Sequence, residues 1–252
     1  MGPRRILVLV IASDFPRHYV EMQDLWTKRI ADWRIADRCI NDRCINDRCV
    51  TTNVWFIKAK PPHLWLGDIV NDGPLSDIVE LDREAMTIFV KGNETYIPGI
   101  LNKTIEAIRA IGLSDYDFIW RTNLSSVLNF AGLAKYIDSL CVSSMFYGGF
   151  TGLSVDGSVS FASGAGFLVS RDVAEYLVSN RDLVRWDLID DVAIGALLEP
   201  KFGITHIERC WVQTGNEDFA SLSAAGIFHF RCETYRHERT TEFMNAVAKA
   251  LC

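Results

Sequence analysis

DYDFIWRTNLSSVLNF, residues 115–130, decides how the chain is read. Phe118, Ile119 and Trp120 are large, apolar and β-favouring, so they predict a buried strand. Arg121-Thr122-Asn123-Leu124-Ser125-Ser126 follows, small and polar, before a helix-like run from Val127 to Leu140. Polar residues just past the C-terminal end of a buried strand are where open α/β sheets place their ligands. The break itself contains no carboxylate. It reads either as a ligand site or as a plain strand-to-helix turn capped by Ser125 or Ser126.

Outward from that stretch the pattern alternates. Ile6-Leu7-Val8-Leu9-Val10-Ile11-Ala12 predicts a strand at 5–12, and a helix starts at about Tyr19. Arg4-Arg5 ahead of those seven apolar residues also has the look of a short signal peptide, but the run is minimal for that and far too short to span a bilayer. Val54 to Lys58 and Thr87 to Val90 predict further strands. Between Ile97 and Ile111, Ile100, Ile105, Ile108 and Ile111 share one helical face, with Asn102, Lys103 and Glu106 off it. In the second half, Met145 to Phe150 and Ser163 to Ser170 predict strands. Arg171 to Ser179 predicts a helix with Ser170 as its cap. Leu188 to Leu198 predicts another, with Asp190-Asp191 in its first turn, where the helix dipole favours acids. Ile227 to Phe230 is a late strand and Glu238 to Leu251 a terminal helix. Strands alternating with helices predict an α/β sheet with parallel pairing, and with no linker in the sequence the chain reads as a single domain over 1–252.

The 252 residues can bury a sizeable core, and 49% apolar with 23% charged is ordinary for a soluble globular chain. A net charge of −6 and the lack of a basic block argue against a nucleic-acid partner, while leaving room for a small anion in a local pocket. No run is long enough for a transmembrane helix. Seven cysteines, an odd number, suit reduced thiols and a cytoplasmic location.

Residues 29–49, RIADWRIADRCINDRCINDRC, repeat with period five. Cys39, Cys44 and Cys49 are evenly spaced, but a five-residue step turns a helix by about 140°, so their side chains would not converge on a metal. The repeat therefore predicts a duplicated insertion, at about 29–50, that extends the first helix.

Four segments in order resemble the β-1,3-galactosyltransferase and Fringe group of glycosyltransferases, which implies a GT-A-like fold: a Rossmann-like mixed sheet flanked by helices. Glu94-Thr95-Tyr96 leading to Asn102-Lys103-Thr104 is similar to the family's acid-Ser-Tyr step before a helix carrying Lys-Thr. Asp117 to Ser125 is similar to the strand that ends in Lys-Thr-Asp-Asp-Asp. Ser163-Gly164-Ala165-Gly166-Phe167-Leu168-Val169-Ser170 is similar to the Gly-Ala-Gly-Tyr strand, and Asp190-Asp191-Val192-Ala193-Ile194-Gly195 has the spacing of the acid-Asp-Val step before glycine. Phe228-His229-Phe230 stands where the group has a late histidine, and Trp26 fits an early tryptophan.

The resemblance implies transfer of a sugar from a nucleotide-sugar donor, UDP-linked, to a glycan or other hydroxyl acceptor, with inversion. It implies donor-binding roles for Glu94, Lys103, Arg121, Asn123, Ser125, Gly164, Ala165 and Gly166. Asp191, or Asp190 second, would be the general base, because adjacent acids raise one another's pKa. A divalent metal, Mn or Mg, would be held by the acidic triplet, and His229 would be a ligand to that metal or to the diphosphate; between two phenylalanines it equally reads as a satisfied core residue. In this chain the triplet positions are Asn123, Leu124 and Ser125, which supply no charge, so a metal-independent site with Arg121 on the phosphates is the other expectation. Trp186 and Trp211 are candidates for stacking on sugar. The same fold without its acids could also be an inactive nucleotide- or glycan-binding module.

Overall fold

The computed structural model describes residues 4–14, 18–41, 50–61, 79–212, 219–232 and 237–251. Strand β1 (Arg5–Ile11) is apolar at every position after the first, because both of its faces are covered. Ile6, Val8 and Val10 enter one core, and Leu7, Leu9 and Ile11 enter the other. That is the two-residue alternation of a pleated strand. Helix α1 (His18–Asn41) leads to β2 (Thr51–Lys60), and β3 (Val79–Asp82) and β4 (Thr87–Lys91) form the far edge. Helix α2 (Gly99–Ile111) returns the chain to β5 (Phe118–Asn123), short β6 (Ser126–Leu128) and α3 (Phe130–Ser139). The hairpin β7 (Tyr147–Leu153) and β8 (Ser160–Ser170) precedes α4 (Arg171–Ser179) and α5 (Asp190–Phe202). Strands β9 (Thr205–His206) and β10 (Cys210–Val212), α6 (Phe219–Ala224), β11 (His229–Arg231) and α7 (His237–Leu251) complete the described chain.

The main sheet has the order β3-β4-β2-β1-β5-β8-β7-β9. Strand β1 runs parallel to β2 and β5, and β2 parallel to β4. Strand β8 is antiparallel to β5 and β7. This is a mixed sheet flanked by helices, as expected from the sequence. Parallel pairing joins β4, β2, β1 and β5 without a break; beyond β5 it returns in this sheet only where short β9 runs beside β7. A second sheet, β10-β11-β6, was not predicted as a sheet: its strands are three residues long, and only β11 overlaps an expected strand, Ile227 to Phe230. Among the described residues, no helix is long and apolar enough to cross a membrane.

Three local expectations change. Ser126 and Val127 belong to β6, which pairs antiparallel with β11, so the helix starts later. Its cap is Asn129, whose side chain accepts from the Gly132 amide at 2.9 Å, not Ser125 or Ser126. Ser170 does sit at the N-cap position of α4, but its hydroxyl accepts from the Phe146 amide and donates to Asp172 instead of capping the helix. Lys103 and Glu106, expected off the apolar face of α2, are buried at 2% and 1% exposure. Neighbours cover that side of the helix and bring counter-charges: Glu106 meets Arg109 at 2.5 Å and Arg181 at 2.8 Å.

The five-residue repeat begins inside α1. Residues 42–49, and the side chains from 35 to 49, lie outside the described residues, and with them the question of Cys39, Cys44 and Cys49. Cys210 and Cys232 are buried free thiols and Cys141 is an exposed one.

Candidate functional site

Chain order reverses between β1 and β5, and a crevice opens outside their carboxyl ends, as it does in doubly wound sheets. The cleft there has a volume of about 460 Å³. Its floor includes Arg121, Asn123 and Ser125 from the end of β5 and the turn after it. Glu94 and Lys103 line one side, and Gly164, Ala165, Asp190 and Asp191 the other. The structure thus brings together nine of the eleven residues expected from sequence; Gly166 and His229 are not part of the lining.

Lys103 Nζ donates to Glu94 Oε2 at 2.6 Å and to the Ala12 carbonyl at 3.0 Å. Burial lowers its pKa, against the pull of Glu94. Glu94 also accepts from the Ala59 amide at 2.8 Å, so the pair ties the ends of β1 and β2 to α2.

Arg121, inside core strand β5, is 2% exposed. A buried guanidinium needs partners. Nη2 meets Asp190 Oδ2 at 2.5 Å, and Nη1 donates to the Gly164 carbonyl. Gly164 has no side chain for a spatial reason: a Cβ would lie 3.0 Å from Arg121 Nη1 and 3.2 Å from Asp190 Oδ2.

Asp191, next along α5, stays partly exposed at the cleft. Its Oδ2 accepts from the Gly164 amide at 2.8 Å and Oδ1 from the Val192 amide at 2.9 Å. Its pKa is raised, first by burial and then by the negative charge of Asp190. Adjacent acids therefore have different settings: Asp190 is locked to a cation and Asp191 faces the cleft.

The stretch that opened the reading folds on itself. Asn123 Oδ1 accepts from Ser125 Oγ at 3.1 Å, Ser126 Oγ at 3.0 Å and Arg231 Nη1, while Nδ2 donates to the Gly164 carbonyl at 3.2 Å. Leu124 is buried, and its carbonyl accepts from Trp26 Nε1 at 3.0 Å. As a donor set for a divalent ion this is poor: one amide oxygen already surrounded by three donors, one hydrocarbon and one hydroxyl. Among the described residues, no group of three or more His, Cys, Asp or Glu side chains could hold a metal.

His229 is 1% exposed behind the cleft wall. Its Nε2 lies 3.2 Å from Thr122 Oγ1, and its ring packs edge-on against Trp120 at 5.2 Å. Burial pushes its pKa down to about 3, so it is neutral at ordinary pH. Gly166 makes room for it: a Cβ there would come within 2.7 Å of both rings. Trp186 and Trp211 pack against the two cores rather than line the cleft.

Arg231 was missed from sequence. It lines the cleft from β11, two residues beyond His229. The local pattern did not mark it, since Phe228, His229 and Phe230 are all buried and show no alternation.

No family model matches the chain, and no curated protein matches it. Among solved structures, the chain is similar to a glycosyltransferase involved in the glycosylation of the major capsid of PBCV-1, at 9% identity and a TM-score of 0.49, over 97% of this chain and 100% of that one. It is also similar to the glycosyltransferase GlyE of Streptococcus pneumoniae TIGR4, at 8% identity and a TM-score of 0.41, over 99% of this chain and 63% of that one.

Proposed function

We propose that the chain is a glycosyltransferase that moves a sugar from a nucleotide-sugar donor to a hydroxyl on a glycan or other acceptor. The observation that carries this is Asp191. It is a carboxylate at the cleft, oriented by two backbone amides, with a pKa raised by burial and by Asp190. It stands across a pocket lined by Lys103, Arg121 and Arg231, a suitable setting for an anionic donor. The order and spacing of the four sequence segments favour the β-1,3-galactosyltransferase and Fringe group, with Asn123, Leu124 and Ser125 at the positions of its acidic triplet.

In the inverting reaction the acceptor oxygen attacks the anomeric carbon on the face opposite the nucleotide. The carbon–oxygen bond to the diphosphate breaks, and its electron pair leaves with the nucleoside diphosphate. The acceptor proton passes to the Asp191 carboxylate. Asp190 is a positioning residue, since it holds Arg121 against Gly164 of β8.

The test is release of nucleoside diphosphate from a panel of UDP- and GDP-sugars, with and without simple sugar acceptors. Asp191→Asn is expected to lower turnover by about 10²- to 10⁴-fold, the usual worth of a general base. Because the Asp191 pKa is raised, the rate of the wild type should rise with pH through a midpoint above that of an ordinary aspartate. Turnover of no sugar, with nucleotide binding retained, would instead favour a binding module.

A further inference from the structure

We propose that Arg231, and not a divalent cation, meets the diphosphate of the donor, held in place by the side-chain amide of Asn123. The inference rests on the glycosyltransferase reading and names the chemistry of its donor subsite: a nucleoside diphosphate bound without metal.

The charges of the cleft carry it. Lys103 is matched by Glu94 at 2.6 Å, and Arg121 by Asp190 at 2.5 Å. Arg231 lines the same cleft, and its partner is the neutral oxygen of Asn123. Among the described residues, no carboxylate pairs with it. A guanidinium that is partly buried beside a neutral acceptor is undercompensated, and its planar fork matches two phosphate oxygens.

A metal finds a worse welcome at the same place. The Asn123 oxygen is occupied by two hydroxyls and by Arg231 itself. Asp190 is committed to Arg121, and a divalent ion near Asn123 would sit against the Arg231 charge. Arg231 is also rigidly placed. It ends β11, opposite Ser126 of β6 and Val212 of β10, so strands on both sides support its backbone. The leaving diphosphate gains one negative charge as it takes the bonding pair, and the guanidinium is there to receive it.

The experiment is calorimetric titration of UDP, GDP, ADP, CDP and inorganic pyrophosphate into the full chain, with manganese and again with EDTA. At least one nucleoside diphosphate should bind with an affinity that EDTA leaves unchanged. Arg231→Gln should weaken that binding by about tenfold to a hundredfold, the worth of a charge-assisted contact. Arg231→Lys, which keeps the charge and loses the fork, should weaken it less. Asn123→Asp should weaken it in EDTA, because the new carboxylate pairs with Arg231. Circular dichroism establishes that each variant folds; if Arg231→Gln does not, Arg231→Lys and Asn123→Asp carry the comparison. Binding that requires manganese, equal affinity in wild type and variants, or no binding in either condition overturns the proposal. Manganese-dependent binding with sugar turnover sinks the clamp and leaves the transferase. Metal-free binding with no turnover of any donor sinks the transferase and leaves the clamp.

Discussion

The two halves of the main sheet solve the same packing problem in opposite ways. In the parallel half, β1 and β5 fill both faces with large side chains, among them Leu7, Leu9, Phe118 and Trp120, all fully buried. In the antiparallel half, β7 and β8 have the sequences YGGFTGL and SFASGAGFLVS, and the cleft side is shaped by what is missing. Gly164 leaves space for Arg121 and the two acids, and Gly166 for His229 and Trp120. The parallel half is a wall; the antiparallel half is a mould around buried polar groups. The charged floor of the cleft lies on the seam between them, where β5 pairs with β8.

The largest expected effect strikes that seam. Arg121→Ala leaves Asp190 buried at 7% exposure without its cation, and should cost about 3–5 kcal/mol of stability. A denaturant midpoint barely moved from wild type would mean that the pair is not what joins the halves. Next come matched changes in the two halves. Gly166→Ala adds one carbon against the His229 and Trp120 rings and should cost about 1–3 kcal/mol. Ile119→Val removes one carbon from the wall and should cost about 0.5–1.5 kcal/mol. If the glycine change were neutral, the mould would be softer than its contacts show and the contrast would fail.

A graded probe is acid. His229 has an ordinary pKa of 6.5, and burial holds it at about 3 in the native chain. Above 6.5 it is neutral in both states and its contribution is fully present. As pH falls from there toward about 3, the unfolded chain takes up a proton that the native chain refuses, so stability falls by about 1.4 kcal/mol per pH unit. Thermal melts across that window should show this slope, and His229→Gln should flatten it. An unchanged slope in the variant would assign acid loss to other groups.

Much of the fold was legible for one reason: burial on both faces leaves an apolar run. Ile6 to Ile11 and Phe118 to Trp120 mark the two central strands this way, and a run of three apolar residues sufficed because its neighbours supply the rest of the sheet. The four ordered segments also pointed to residues that the fold gathers in one cleft, Glu94 and Lys103 on one side and Asp190 and Asp191 on the other. What escaped was short or contrary to local pattern. Strand β6 reads as a helix start because its three residues are held by β11 and not by their own periodicity. Lys103 and Glu106 read as solvent-facing because a helix wheel does not show which neighbours will cover its polar side.

The sequence by itself determined the alternation of strands and helices, the two central strands, the glycine-rich strand and the doubled acid at the start of α5. These depend on short-range terms: side-chain shape, backbone preference and the period of burial. Only the tertiary structure decided which charge meets which. Arg121 finds Asp190 across 69 residues, and Arg231 finds Asn123 across 108. That pairing separates Asp190, locked, from Asp191, facing the cleft, and leaves Arg231 with a neutral partner. The physical reason is that an ion pair forms wherever desolvated charges are brought into contact, and contact between distant segments is a property of packing that no local spacing encodes.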